Sequence, residues 1–128
     1  ILDLLTWMHQ NKVDYTNTFC HLMNLTIENN DNYKNNDFLN WKKRWQERLK
    51  TNNNSPEKYI NLMRGVNPLV IPRNHIVEEA LAKANDGNLK LINQLLNIVS
   101  KPYIEQENLI NFQFASKSNK DYQTFCGT

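Results

Sequence analysis

Apolar residues recur along this chain at helical spacing, and no stretch alternates strictly enough to read as a strand, so the pattern predicts an all-α fold. A first short helix, about Leu2 to Gln10, carries Leu2, Leu5 and Met8 as its apolar positions. Asp14 opens a second helix, with Tyr15, Phe19, Leu22 and Met23 on one side. Asn29 to Asn36 reads as a polar loop. The third helix, about Asp37 to Leu49, sets Phe38, Trp41, Trp45 and Leu49 within roughly an 80° arc at about 100° per residue. This arc predicts that both tryptophans face the core, and Thr51-Asn52-Asn53-Asn54 ends the helix. Ser55-Pro56 then pairs an N-cap with a first-turn proline, and the helix that follows runs through Tyr59, Leu62 and Met63 to Gly65.

The best-defined unit is a helical hairpin. Ile76, Val77, Ala80, Leu81 and Ala84 share one arc of a helix that ends at Asn85-Asp86-Gly87, where the glycine supplies a left-handed cap. Asn88 is placed to cap the next helix, and small Ala80 and Ala84, one turn apart, let the two helices approach closely. In that next helix Lys90, Asn93, Gln94 and Asn97 occupy an arc of roughly 100°, and apolar residues from Leu89 to Val99 fill the rest. It is therefore predicted to be the buried centre of the bundle. Lys101-Pro102 closes it, and Ile104, Leu109, Ile110, Phe112 and Phe114 are available to pin the remaining chain across the bundle. The expected architecture is an irregular bundle of about six helices. Residues 1–110 form a helical domain, and 111–128 form an extended, partly irregular tail ending near Cys126.

Composition narrows the possibilities. At 128 residues and 40% apolar content the chain suits one domain with a modest core, and a net charge of +2 does not call for nucleic acid. Its 22 asparagines read as surface, cap and turn filler. No apolar run approaches the roughly 20 residues that span a bilayer, so a soluble protein without a membrane partner is expected. Two widely separated cysteines, Cys20 and Cys126, do not make a disulfide framework, which favours a reducing cytoplasm. The chain opens at Ile1 on what reads as the middle of an apolar helix, and it is expected to be a piece of something longer. Cys126 follows the polar stretch Ala115-Ser116-Lys117-Ser118-Asn119-Lys120, so its thiol is expected to face solvent or a partner.

With only Gly65, Gly87 and Gly127, the chain has no room for a Walker A loop or a dinucleotide fingerprint. His9, Cys20 and His21 match no zinc spacing, and Cys20 reads as a small packing residue. Glu78 and Glu79 point apart on their helix, while Glu79 and Lys83 make an i,i+4 surface pair. No catalytic, cofactor-binding or metal-binding residue is assigned on these grounds. Three cations do pose questions. Arg44 and Arg48 are like charges at i,i+4, unfavourable by about 0.2–0.5 kcal/mol unless an anion lies between them. Arg73 at a helix start opposes the dipole by about 0.3–1 kcal/mol unless a carboxylate meets it. Each is a candidate anion or partner contact, with an ion pair inside the domain the favoured reading.

Six elements, taken in order, resemble the selenoprotein O family, also called YdiU. Asp14-Tyr15-Thr16-Asn17-Thr18-Phe19 is similar to its Asp-Tyr-Thr-x-Thr-Phe segment, and Trp41 to Leu49 to its Trp-rich helix. Asn67-Pro68 through Arg73-Asn74 is similar to its Asn-Pro…Arg-Asn element, and Asp86-Gly87, Pro102-Tyr103 and Cys126 follow in register. The resemblance implies a kinase-like enzyme that binds ATP with Mg²⁺ and transfers AMP to protein hydroxyls. It also implies that this chain is roughly the final quarter of such an enzyme, non-catalytic and packed on the kinase-like core. Cys126 stands where the family holds a selenocysteine or cysteine linked to redox control, and Gln123 stands where some relatives have a second cysteine. The alternative is a stand-alone helical module whose Trp/Arg helix meets nucleic acid or an acidic protein.

Overall fold

Side-chain capping sets two of the helix starts, those of α2 and α4, whereas α5, α6 and α7 begin without a side-chain cap. The computed structural model describes residues 2–25, 31–51 and 55–114, and among these it is all-α. In order come α1 (Leu2–Asn11), α2 (Tyr15–Leu22), a 3-10 turn (Asp31–Lys34), α3 (Asn36–Thr51), α4 (Pro56–Arg64), α5 (Asn74–Asn85), α6 (Lys90–Val99) and a short α7 (Ile110–Gln113). Asp14 caps α2 by accepting from the backbone N–H of Asn17. Ser55 caps α4 by accepting from Lys58, with Pro56 in the first turn as expected. Gly87 adopts φ +84° between α5 and α6, the left-handed conformation expected of it. Asn88 acts one position early: its Oδ1 accepts from the N–H of Lys90, while Leu89 occupies the N-cap.

Two hydrophobic clusters fill the interior, with α2 as their common wall. Cys20 and Met23 face one cluster, with Leu69, Val70, Ile76, Ala80, Leu95, Ile98, Leu109 and Phe112. Leu22 faces the other, with Leu4, Trp7, Met8, Tyr33 and Phe38. The half-buried Met63 of α4 packs against both. A helix can serve two cores when its apolar residues sit on more than one face, as adjacent Leu22 and Met23 do at about 100° apart.

Several packing expectations are corrected. In α1 the buried residues are Leu4, Trp7 and Met8, and Leu2 and Leu5 are exposed. Turning the helix to bury Leu4 together with the indole of Trp7 hides more apolar area than burying Leu2 and Leu5 would. In α2, Tyr15 is exposed, and the inward positions include Thr16, Asn17 and Thr18. Residues 31–34 of the expected polar loop form the 3-10 turn that buries Tyr33 against Trp7 and Phe38, while 29 and 30 lie outside the described residues.

In α3 only Phe38 is buried, and Trp41, Trp45 and Leu49 are half-buried. Trp41 and Trp45 stack at 5.9 Å and 10°, and Tyr59 of α4 meets Trp45 edge-on at 5.3 Å. These rings roof the second cluster rather than fill it.

A further correction concerns α6, which is not the buried centre. Leu95 and Ile98 are buried, Leu91, Ile92 and Val99 are half-buried, and Leu89 and Leu96 are exposed. The close α5/α6 approach does hold, since Ala80 is fully buried between elements. After α6, Leu109 and Phe112 are buried, but Ile104 and Ile110 are exposed. The short α7 crosses position 110, so Phe112 and Gln113 sit inside the bundle.

A Cβ built at Gly87 meets nothing within 4 Å, so only backbone strain opposes a side chain there. Gly87→Ala is expected to lower unfolding free energy by about 1–2 kcal/mol, and Gly87→Asn by less, since Asn tolerates this conformation. Urea titration of the three proteins checks the order.

Candidate functional site

The most highly organised polar cluster lies where α2, α5 and α7 converge. Asp14 precedes α2 and Arg73 precedes α5, so each belongs to a helix start and both side chains turn inward. Arg73 NH1 donates to Asp14 Oδ2 at 2.6 Å, and NH2 donates to Oδ1 at 2.8 Å. This is the bidentate pairing that a planar guanidinium and a carboxylate favour. The Arg73 side chain is 11% exposed and that of Asp14 20%, so water screens the pair little. Asp14 Oδ1 also accepts from the Asn17 N–H at 2.9 Å. One carboxylate therefore caps α2, sits on the positive end of its dipole and neutralises the cation at the start of α5.

The cluster extends to the C-terminal segment. Arg73 NH2 and Asn17 Nδ2 both donate to the carbonyl of Gln113, at 3.0 and 3.1 Å. The Gln113 side chain donates in turn to the Leu69 carbonyl at 2.7 Å. Arg73 Nε is buried and has no hydrogen-bond partner among the described residues. Beside the cluster, Thr18 Oγ1 donates its single proton to the Asp14 carbonyl at 2.7 Å, which leaves the Tyr33 hydroxyl, 3.0 Å away, to act as donor. Burial pushes the Asp14 carboxyl up, but the Arg73 and Asn17 hydrogen bonds together with the Arg73 charge outweigh it and hold the carboxyl below its ordinary value.

The other candidates lie apart. Arg44 reaches Asp3 at 3.2 Å in an exposed pair that ties α3 to α1 across a polar cleft of about 380 Å³. Arg48 is exposed and lies one turn further along α3. Cys126 lies outside the described residues. Cys20 is fully buried, with Sγ 3.7 Å from the Pro68 carbonyl, and burial together with the Asp14 charge pushes its thiol up to about 11. His21 stacks on Tyr33 at 4.2 Å, and burial, helped by the Lys42 charge, lowers its pKa. His9, on the exposed side of α1, is not part of any metal-holding group, and no group of three such residues occurs among the described residues.

Gln113 carries no signal of a site in the sequence, and Asn17 and Thr18 stand there only as members of the Asp14–Phe19 segment, with no role assigned to them. The available signal was three consecutive polar residues, Thr16 to Thr18, on a short helix whose remaining inward positions are apolar. A polar run on a buried face needs partners.

Arg73→Ala leaves a mostly buried carboxylate unpaired, and about 3–5 kcal/mol of stability is expected to go with it. Asp14→Asn separates the charge contribution. The folded-state pKa of Asp14 is depressed, so its stabilisation is complete above the unfolded value of about 3.9 and is lost as pH falls through the folded one. Below about pH 4 the Asp14→Asn protein should therefore lose less stability than the parent. Urea titrations at pH 3 and pH 7 read the difference, and equal acid losses in both proteins would contradict it.

A family model described as protein adenylyltransferase SelO matches residues 1–100. Among curated relatives, a protein nucleotidyltransferase YdiU of Pelagibacter ubique is 48% identical over 129 residues, covering 100% of this chain and 27% of its own length. Proteins of the same description from Alcanivorax borkumensis and Syntrophotalea carbinolica are 41% and 43% identical, covering 100% and 98% of this chain. This chain spans 27% and 26% of their lengths, about a quarter in each case. No solved structure matches. With the family model matched over most of its length, the chain belongs to the SelO family of YdiU protein nucleotidyltransferases, the family its Asp-Tyr-Thr, Trp-helix and Arg-Asn elements resemble.

Proposed function

We propose that this chain is the helical C-terminal quarter of a kinase-like protein adenylyltransferase and that its own part is structural and regulatory. The whole protein transfers AMP from ATP to Ser, Thr or Tyr hydroxyls of protein substrates. In that reaction a hydroxyl oxygen bonds to the α-phosphorus of ATP, the α–β bridge breaks, pyrophosphate leaves, and a base takes the hydroxyl proton. Such chemistry needs a phosphate cradle and Mg²⁺ ligands. The residues described here do not fit that need. Asp14, the acidic residue most enclosed by donors, is held by Arg73 and the start of α2, and no other acidic residues gather around it. The chain has three glycines, spread too thinly for a nucleotide loop.

The observation that carries this reading is how the family-like motif residues are used. Asp14, Asn17, Thr18 and Arg73 bond to one another, to Gln113 or to Tyr33, and so hold helices together. ATP and Mg²⁺ then belong to the kinase-like core elsewhere in the protein, which is also the principal partner of this chain. A cytoplasmic setting suits a free buried Cys20, and among the described residues no helix is long and apolar enough to cross a membrane. Cys126 is the redox handle in this reading.

The full-length protein, given ATP labelled at the α-phosphate, is expected to place label on protein, while residues 1–128 alone place none. Transfer by residues 1–128 alone would overturn the non-catalytic assignment, and no transfer by the full-length protein would overturn the activity. Alkylation at pH 8 should modify Cys126 well before Cys20, whose thiol is buried and raised to about 11. Faster modification of Cys20, read by peptide mass spectrometry, removes Cys126 from its proposed role.

A further inference from the structure

The apolar arc of α6 is wider than the surface the bundle gives it. At about 100° per residue, Leu91, Leu95 and Ile98 point one way, and Ile92, Val99, Leu96 and Leu89 continue the arc to roughly 180° in total. The first group faces the core, and Ile92 and Val99 of the second also pack against it. Along the second, exposure rises from half-buried Ile92 and Val99 to 58% at Leu96 and 55% at Leu89. A helix exposed to water on that edge would carry polar residues there, as α6 does on its opposite side with Lys90 and Gln94.

A second set of exposed apolar residues lies beyond the C-terminal end of α6. The Leu69 N–H donates to the Pro102 carbonyl at 2.7 Å, and Arg64 reaches Glu105 at 3.5 Å. These ties bring the end of α4 against the turn after α6. Val66, Tyr103 and Ile104 lie between the tied residues and are 72%, 49% and 60% exposed. Scattered apolar residues on a surface are ordinary, but an apolar helix edge followed by a turn that exposes Tyr103 and Ile104 between Lys101 and Glu105 marks a contact face with a charged border.

We infer that the Leu89/Leu96 edge of α6, with Val66, Tyr103 and Ile104 beside its end, is the face that docks on the remainder of the same polypeptide. This rests on the proposed function, in which the chain is one quarter of a longer protein. The occupant follows from length. Relatives that match the whole of this chain devote only 26–27% of their residues to it, so about three quarters of such a protein lies outside the structure and must pack somewhere. An intramolecular partner is present at high effective concentration and covers an apolar face without requiring a second molecule.

The test is thiol labelling of full-length protein carrying Leu89→Cys, Leu96→Cys, Lys90→Cys or Gln94→Cys singly, read peptide by peptide. Labelling at 89 and 96 is expected to be at least about tenfold slower than at 90 and 94. Rates within about threefold of one another at all four positions overturn the inference. Hydroxyl-radical footprinting of unsubstituted full-length protein should show the same protection at Leu96 and Tyr103, which removes any dependence on the variants. Protection that disappears when the protein is diluted to monomer assigns the face to a second copy and also overturns the inference. The two proposals fail separately. Full-length protein that protects 89 and 96 but transfers no AMP sinks the activity alone, and one that transfers AMP with both positions open sinks the docking face alone.

Discussion

The Asp14–Arg73 pair is the contact on which the arrangement of this bundle depends. Three segments far apart in sequence meet there: the start of α2, the start of α5 and the Gln113 carbonyl of α7. The Coulomb gain of a pair this enclosed is largely offset by the cost of removing both charges from water, so its net contribution to stability is modest. Its geometry is another matter. A fork of two hydrogen bonds at 2.6 and 2.8 Å fixes both distance and plane, which dispersion contacts between Leu and Ile side chains do not. The apolar clusters supply the driving force for collapse, and the ion pair selects which helix starts lie together.

That division of labour explains why α2 can be short. At eight residues it is below the length at which an isolated helix holds in water. It is sustained by the Asp14 cap at one end, by Cys20 and Met23 in one cluster, and by Leu22 in the other. Thr18 adds a hydroxyl bridge to Tyr33, which in turn stacks on His21. Disturbing α2 therefore reaches both cores at once, whereas the exposed Arg44–Asp3 tie between α1 and α3 lies on the rim of one.

What the sequence disclosed was mostly what local chemistry decides. Ser55-Pro56, Asp14 and Gly87 announce helix ends because caps act over three or four residues. A cation at the start of α5 called for a carboxylate, and Asp14 meets it from 59 residues away. The partner itself was not legible, because nothing local to Arg73 names it. The same limit hid Gln113, whose carbonyl is chosen by the packing of α7 and whose type reads as an ordinary surface residue. In α1 the spacing of Leu2, Leu5 and Met8 suggested one face, while tertiary packing chose the face that buries Trp7. Periodicity states that a helix has an apolar side; the neighbours decide how much of that side is covered.

The α6 helix turns that limit into information. Its apolar arc reads as fully enclosed, and the bundle covers that arc from Leu91, Leu95 and Ile98 through Ile92 and Val99 but leaves Leu89 and Leu96 more than half exposed. Fully burying a leucine side chain is worth about 1.5–3 kcal/mol, so leaving Leu89 and Leu96 55% and 58% exposed forgoes about 2–3 kcal/mol between them, a sizeable fraction of the stability of a small domain. A misjudged periodicity would leave a polar residue in the core, and α6 shows none: its inward positions are apolar and its outward positions Lys90, Asn93, Gln94 and Asn97 are polar. The excess lies only at the edge, on the side that the α2 and α5 packing does not reach. The pattern therefore fits a helix with a second contact face, the one inferred to dock on the rest of the polypeptide.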